Sequence, residues 1–298
     1  MFITECILEY LKHLKARKYS PKSIKAWHDR LNRFSRFVEA SGLESLQDVS
    51  LTDLEKYRLE LLESQMASSS VYIYLSYVKR FFEYQEDTHR IFINPARDLI
   101  LPKCKRKQQP VPNEEDVEKL LAQPDVSTQD GIRDRAIIEV LYSTGLRLEE
   151  LTTLKIFDPD LKNKIIMVTG KGSKERIVPL GKQAIFWLRR YIEKVRPKLL
   201  KGKLDEHALW IGSQWARRMH PIIIQRNIRE YGQSAGASVR ITPHALRRAC
   251  ATHMLRAGAH PVQIQLLLGH TSMRTLSQYL KVTVTDMKNM HKKSKPGR

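Results

Sequence analysis

The segment Leu101-Pro-Lys-Cys-Lys-Arg-Lys-Gln-Gln-Pro-Val-Pro constrains this chain more than any other stretch. The prolines at 102, 110 and 112 have no backbone N–H to donate, so no helix interior or central strand runs through them. Lys103, Lys105, Arg106 and Lys107 stand between those prolines, and cations so closely spaced resist burial. The chain is therefore expected to fold as two bodies, residues 1–101 and 113–298, joined by a basic linker over 102–112. At 298 residues it is long enough for each body to close its own core.

The first body reads as four helices. Ile7, Leu8, Leu11 and Leu14 recur at helical spacing. Ser20-Pro21 opens a second helix with proline in its first turn, and its apolar face runs through Ile24, Trp27, Leu31, Phe34 and Phe37 to an end near Gly42. A third begins at Thr52 with Leu54, Tyr57, Leu61 and Leu62; a fourth follows Ser68-Ser69-Ser70 with Tyr74, Leu75, Val78, Phe81 and Phe82. Aromatics confined to single helical faces belong to a core. Lys22, Lys25, Arg30, Arg33, Arg36, Lys79 and Arg80 fall on the other faces, so one side of the domain is basic.

Beyond the linker, Asn113 caps an acidic first turn, Glu114-Glu115-Asp116, and a second helix runs from Arg133 to Tyr142 and stops at Gly145. The period then changes. Between 164 and 180, Lys-Ile-Ile-Met-Val-Thr and Arg-Ile-Val-Pro-Leu flank Gly170-Lys171-Gly172-Ser173-Lys174-Glu175, the pattern of a β-hairpin. Helical patterning resumes at 182–200, 221–234, 244–257, 261–268 and around 275–280, and a basic tail runs from Lys288 to Arg298. The fold class is mainly α with a small β-hairpin or sheet.

Charge narrows the partner. Lys and Arg number 52 against 32 Asp and Glu, a formal net charge of +20, which favours a polyanion because each phosphate contact releases counterions. Cys6, Cys104 and Cys250 lie far apart and form no metal or disulfide pattern, which fits a reducing cytoplasm. Glu5 and Glu9 interrupt the apolar residues of the N-terminus, so no signal peptide is expected, and no apolar run is long enough to span a bilayer.

The chemistry resides in Arg147, the pair His244 and Arg247, His270 and Tyr279. A phosphodiester resists attack because negative charge grows on its non-bridging oxygens. Guanidinium groups answer that charge, being planar, permanently protonated and able to donate two parallel hydrogen bonds. Arg147 follows a Ser-Thr-Gly turn, and His244 and Arg247, three apart after Pro243, share one face near a helix N-terminus. A tyrosine hydroxyl can attack phosphorus with no metal. His244, His253 and His270 lack the spacing and acidic partner of a zinc site, and no phosphate-binding glycine loop for ATP is present, so neither cofactor nor metal is expected.

Several spaced blocks resemble the tyrosine recombinase/integrase family, and most closely its Xer group: Thr144-Gly-Leu-Arg147-Leu-Glu-Glu150-Leu, Gly170-Lys171-Gly-Ser-Lys-Glu-Arg-Ile-Val-Pro-Leu180, His244-Ala-Leu-Arg247, Ala251-Thr-His-Met-Leu, Leu267-Leu-Gly-His270 and Tyr279. The N-terminal helices and Asn94-Pro95-Ala are similar to the family's core-binding, SAM-like domain. The resemblance implies a two-domain DNA clamp that cuts and rejoins DNA through a 3′-phosphotyrosyl link and a Holliday junction. It implies Tyr279 as nucleophile, Arg147 and Arg247 on the non-bridging oxygens, and His270 on the same phosphate. His244 would orient the phosphate or handle the tyrosine proton. Lys171 would protonate the leaving 5′-oxygen, with Lys174 as its competitor, and Glu150 would brace the site from behind. Lys22, Lys25, Lys79, Arg80, Lys103, Lys105, Arg106, Lys107, Lys174 and Arg248 are the expected DNA contacts. The expected partners are duplex DNA with inverted half-sites and a homotetramer at the synapse, or a second related recombinase, in a cytoplasmic, nucleoid-associated setting.

The chain departs from Xer-like patterns in three places. Arg248-Ala249-Cys250 stands where His-Ser-Phe is usual, Thr271-Ser-Met-Arg-Thr-Leu-Ser-Gln-Tyr279 differs from the usual run after the second histidine, and the stretch between Leu154 and Lys164 is short. These leave open a recombinase of a mobile element, integrating or transposing, beside chromosome or plasmid dimer resolution. A type IB topoisomerase and a DNA-binding regulator without catalysis are the alternative readings.

Overall fold

The computed structural model describes residues 2–43, 45–103, 109–170, 175–202 and 207–269. Cys104, Lys105, Arg106, Lys107, Lys171, Lys174, His270, Tyr279, the helix expected around 275–280 and the C-terminal tail lie outside the described residues. The chain divides into two compact units, Met1–Gln108 and Gln109–Arg298.

In the first unit, α1 (Ile3–Ala16), α2 (Pro21–Ala40), α3 (Leu51–Glu63) and α4 (Ser68–Asp87) enclose one core. Local chemistry sets their starts. Ser20 Oγ accepts from Ser23 N at 3.1 Å, with Pro21 at the first helical position. α3 opens one residue earlier than the sequence suggests because Ser50 and Asp53 cap each other reciprocally: Asp53 N donates to Ser50 Oγ at 3.3 Å and Ser50 N to the Asp53 carboxylate at 3.2 Å. Trp27, Leu31, Phe34, Tyr57, Phe81 and Phe82 are buried, and Phe34 meets Tyr57 and Phe82 edge-on. Leu8 and Leu62, expected in the stripe, are 56% and 39% exposed. Each follows a buried residue, Ile7 and Leu61, and one step of about 100° carries it out of the stripe. Over the basic side, Arg30 lies above Tyr77, 4.8 Å from the ring centroid, and Arg33 above Tyr74 at 5.5 Å.

The second unit is built around α6 (Gln129–Thr144), buried on nearly every side. It starts before Arg133 because Thr128 Oγ1 accepts from Gly131 N at 3.0 Å, and only glycine fits there: a Cβ would fall 1.9 Å from the Asp125 carbonyl oxygen. Arg133 is itself buried, paired with Asp130 at 2.7 Å and Asp134 at 2.8 Å. Around α6 pack α5 (Glu114–Leu121), α8 (Lys182–Arg190), α10 (Pro221–Ser234) and α11 (Pro243–Arg256), with α7 (Leu148–Thr153) against α10 and α12 (Pro261–Leu268) against α11. The helix expected over 182–200 contains a π turn at Tyr191–Val195 before α9 (Arg196–Leu200), and Arg196 below it donates to the Ala208 carbonyl.

The hairpin is part of a three-stranded antiparallel sheet, β1 (Pro159–Asp160), β2 (Ile165–Thr169) and β3 (Glu175–Pro179), with Ile166 opposite Val178 on its buried face. The two-residue β1 carries no periodic signal and was not expected. Among the described residues no helix is long and apolar enough to cross a membrane, and no group of three His, Cys, Asp or Glu could hold a metal ion.

Candidate active site

Two left-handed glycines shape the site. α6 ends at Gly145 (φ 61°), whose N–H bonds the Leu141 carbonyl at 2.9 Å, and the chain turns straight into α7 with Arg147 as its cap residue. α12 ends at Gly269 (φ 61°), the residue before His270. Each glycine is also closely packed. A Cβ on Gly145 would lie 2.6 Å from Leu268 Cδ2, and one on Gly269 3.0 Å from the Arg176 guanidinium.

Glu150 sits at the centre, buried in the first turn of α7. Its carboxylate accepts from Arg147 N at 2.9 Å and Arg147 Nη1 at 2.7 Å, and from Arg176 Nη1 and Nη2 at 3.0 and 2.9 Å; Arg247 Nη1 stands 4.0 Å away. Burial would raise its pKa, but the hydrogen bonds from Arg176, then those from the Arg147 backbone and side chain, overcome it and hold the group at about 2. Three guanidinium groups thus face one carboxylate and leave a local positive surplus, which suits a phosphate.

The two sequence-predicted arginines stand at different depths. Arg147 keeps 44% of its side chain exposed and reaches the Gly269 carbonyl at 3.4 Å. Arg247 is only 3% exposed and donates to the Gly145 carbonyl at 2.5 Å and the Leu268 carbonyl at 2.7 Å. His244, in the first turn of α11 after Pro243, is exposed, so the face it shares with Arg247 runs from surface to interior. Partial burial, then the charges of Arg248, Arg247 and Arg147, push its pKa below the usual imidazole range, which favours a neutral ring. The structure thus brings Arg147, Glu150, His244 and Arg247 onto the converging ends of α6, α7, α11 and α12.

Arg176 was missed. Strand alternation carried the signal, because 176 shares the face of the buried Val178. Of the expected DNA contacts, Lys22, Lys25, Arg80 and Lys103 are exposed. Lys79 is half-buried and donates to the Arg97 carbonyl at 2.7 Å, and Arg248 donates to the Gln109 and Pro110 carbonyls at 2.9 and 3.0 Å. A cavity of about 710 Å³ opens elsewhere, between α6, the start of α8 and α11, where Tyr142 Oη meets His253 Nδ1 at 2.9 Å. None of Arg147, Glu150, Arg176 and Arg247 lines it.

Comparison with known proteins places this arrangement. Residues 111–285 match the phage integrase family and residues 7–89 the phage integrase N-terminal SAM-like domain. Tyrosine recombinase XerD of Listeria monocytogenes is 35% identical, with 94% of each chain covered, and tyrosine recombinase XerC 2 of Ralstonia nicotianae is 31% identical over 100% of this chain and 87% of its own. Among solved structures, XerA recombinase aligns over 99% of this chain and 100% of its own at 26% identity and a TM-score of 0.54. A lambda integrase dimer bound to a COC′ core site shares the fold, with a TM-score of 0.75 at 18% identity over 94% of this chain and 95% of its own. The chain belongs to the phage integrase family, the tyrosine recombinases.

Proposed function

We propose that this protein is an Xer-like site-specific recombinase that cuts and rejoins duplex DNA through a 3′-phosphotyrosyl intermediate. The observation that carries the reading is the convergence of Arg147, Glu150, His244 and Arg247 at helix ends, on a chain whose recombinase relatives match it nearly end to end. In this mechanism the Tyr279 oxygen forms a bond to phosphorus as the bond to the 5′-oxygen breaks. Arg147 and Arg247 take the charge growing on the non-bridging oxygens. His270 donates to the same phosphate, neutral His244 orients that phosphate or takes the proton that the Tyr279 hydroxyl gives up, and Lys171 gives its own proton to the departing 5′-oxygen. The phosphotyrosyl bond keeps the energy of the broken link for rejoining.

The substrate reading is DNA with inverted half-sites, bound by more than one copy of the chain and acted on where the chromosome lies, in the cytoplasm. The lambda integrase tetramer bound to a Holliday junction supports that assembly by analogy of fold. Lys22, Lys25, Arg80 and Lys103 supply exposed positive charge for the DNA backbone. The test starts from sheared genomic DNA: fragments covalently attached to the protein are recovered, sequenced and rebuilt as nicked duplexes that trap the adduct. Wild type should form the adduct on the recovered site. Tyr279→Phe should bind that site with nearly the same affinity and form none; an adduct with the phenylalanine variant removes Tyr279 from its role. Relaxation of supercoiled plasmid without strand exchange between sites would favour a topoisomerase.

A further inference from the structure

Arg176 carries a feature that the phosphate-binding arginines do not share. It stands on β3, two strand positions from the buried Val178, with only 16% of its side chain exposed. Its fork closes on both carboxylate oxygens of Glu150 at 3.0 and 2.9 Å, and its Nε donates to the Leu267 carbonyl at 3.2 Å. Gly269 lies directly on the guanidinium. One side chain therefore touches three segments far apart in sequence: the strand that follows residues 171–174, the helix that carries Arg147, and the cap that leads into His270.

From this geometry we infer that Arg176 is a positioning residue of the phosphate clamp, acting through Glu150 to present Arg147 and to register β3 and the α12 cap against it; the inference rests on the recombinase reading above. Arg176 is turned away from solvent, so a duplex phosphate arriving at exposed Arg147 does not reach it. Arg147 Nη1 and Arg176 Nη1 share the same Glu150 oxygen, Oε1, while Arg147 N and Arg176 Nη2 share Oε2. Without Arg176 the carboxylate loses half of its close donors and is free to rotate toward Arg147 or Arg247. A guanidinium tilted by about an ångström no longer meets the equatorial oxygens, a misplacement worth about a hundredfold in rate. Lysine cannot replace the fork, because a single ammonium cannot span both oxygens and the Leu267 carbonyl at once.

The ionisation of Glu150 supplies a readout that loss of packing alone does not move. The charged groups facing it among the described residues are Arg147 at the start of α7, Arg176 on β3 and Arg247 on α11, with the carbonyls of Leu267, Leu268 and Gly269 at the end of α12 nearby. Removal of Arg176 takes away the strongest influence keeping the carboxylate charged.

The experiment measures single-turnover cleavage of the nicked duplex recovered by covalent trapping, from pH 5 to 9, for wild type, Arg176→Met, Arg176→Lys, Glu150→Gln and Arg176→Met with Glu150→Gln. Thermal midpoint and one-half-site affinity are measured alongside. Arg176→Met should cleave about a hundredfold more slowly at pH 7 and gain an acid limb beyond any that His244 gives wild type, with half-site affinity within about threefold of wild type. The double variant should lose that limb and be no slower than Glu150→Gln, which also separates Glu150 from the titration of His244. Arg176→Lys should be intermediate in rate; should the methionine variant not fold, the lysine variant alone decides, since a wild-type rate and pH profile for it overturns the inference. Additive losses in the double variant, or a rate loss with no new acid limb, overturn it too. Failure of wild type and all variants to form any adduct indicts the recombinase reading instead.

Discussion

Arg147 and Arg247 carry the same guanidinium but differ tenfold in exposure, 44% of the side chain against 4%. Arg147 can meet a phosphate as it stands. Arg247 is already spent on the carbonyls of Gly145 and Leu268, so it must share its remaining donors or exchange partners when DNA arrives. Their alanine variants should therefore differ in kind. Arg147→Ala should slow cleavage by about a hundredfold or more with a smaller fall in thermal midpoint, because Glu150 keeps both donors of Arg176 and the backbone N–H of residue 147. Arg247→Ala should do the same to cleavage and also cost about 1–3 kcal/mol of stability, because two buried carbonyls lose their donor. Equal midpoints for the two variants would refute the distinction.

Glu150 gives a pH test. Its arginine donors hold its pKa in the fold at about 2, below the ordinary glutamate value of 4.5. The stability it contributes is therefore fully present above pH 4.5 and lost as pH falls through 2. A shift of that size corresponds to about 3 kcal/mol. Urea midpoints measured from pH 6 down to pH 2.5 should fall more steeply for wild type than for Glu150→Gln, which has no proton to take up. Parallel slopes would show that the carboxylate is not held by its arginines.

Among the elements, the α6–α7 junction bears most directly on the site. Gly145→Ala adds a left-handed alanine, worth about 1–2 kcal/mol, and drives a methyl to 2.6 Å from Leu268 on α12. Gly236→Ala is the matched control, since it has the same φ of 61° and nothing within 4 Å of the added Cβ. Both variants should lower the thermal midpoint, but only Gly145→Ala should also slow cleavage, by displacing the carbonyl that holds Arg247. These caps were legible in the sequence because a cap is local: Ser20-Pro21, Asn113 with Asp116 and Thr144-Gly145 declare themselves within a few residues. Arg176 was not, because its partner lies 26 residues away across a sheet register that no single segment encodes. The depth of Arg247 was hidden for the same reason, its acceptors being 102 and 21 residues distant. β1 is two residues long, too short for any period to show.

At the scale of the whole molecule, the net charge of +20 falls unevenly: Met1–Gln108 has 19 Lys and Arg against 14 Asp and Glu, Gln109–Arg298 has 33 against 18, and the exposed Lys22, Lys25 and Arg80 lie in the first. If each unit contributes phosphate contacts, affinity for the recovered site should fall steeply between 50 and 200 mM salt, by about 10³-fold for six contacts. A fragment of residues 109–298 should bind more weakly and with a shallower slope. Gel-shift titrations of both across that range decide the matter; matching slopes would leave the N-terminal unit without a role in binding.

Arg248 gives the linker's far end a mechanical meaning. Its guanidinium grips the carbonyls of Gln109 and Pro110, where the chain enters the second unit, and it is the residue next to Arg247 on α11. The start of the second unit is thereby fastened to α11, one residue from the buried Arg247, so how Gln109 and Pro110 are held bears directly on the helix that carries that arginine.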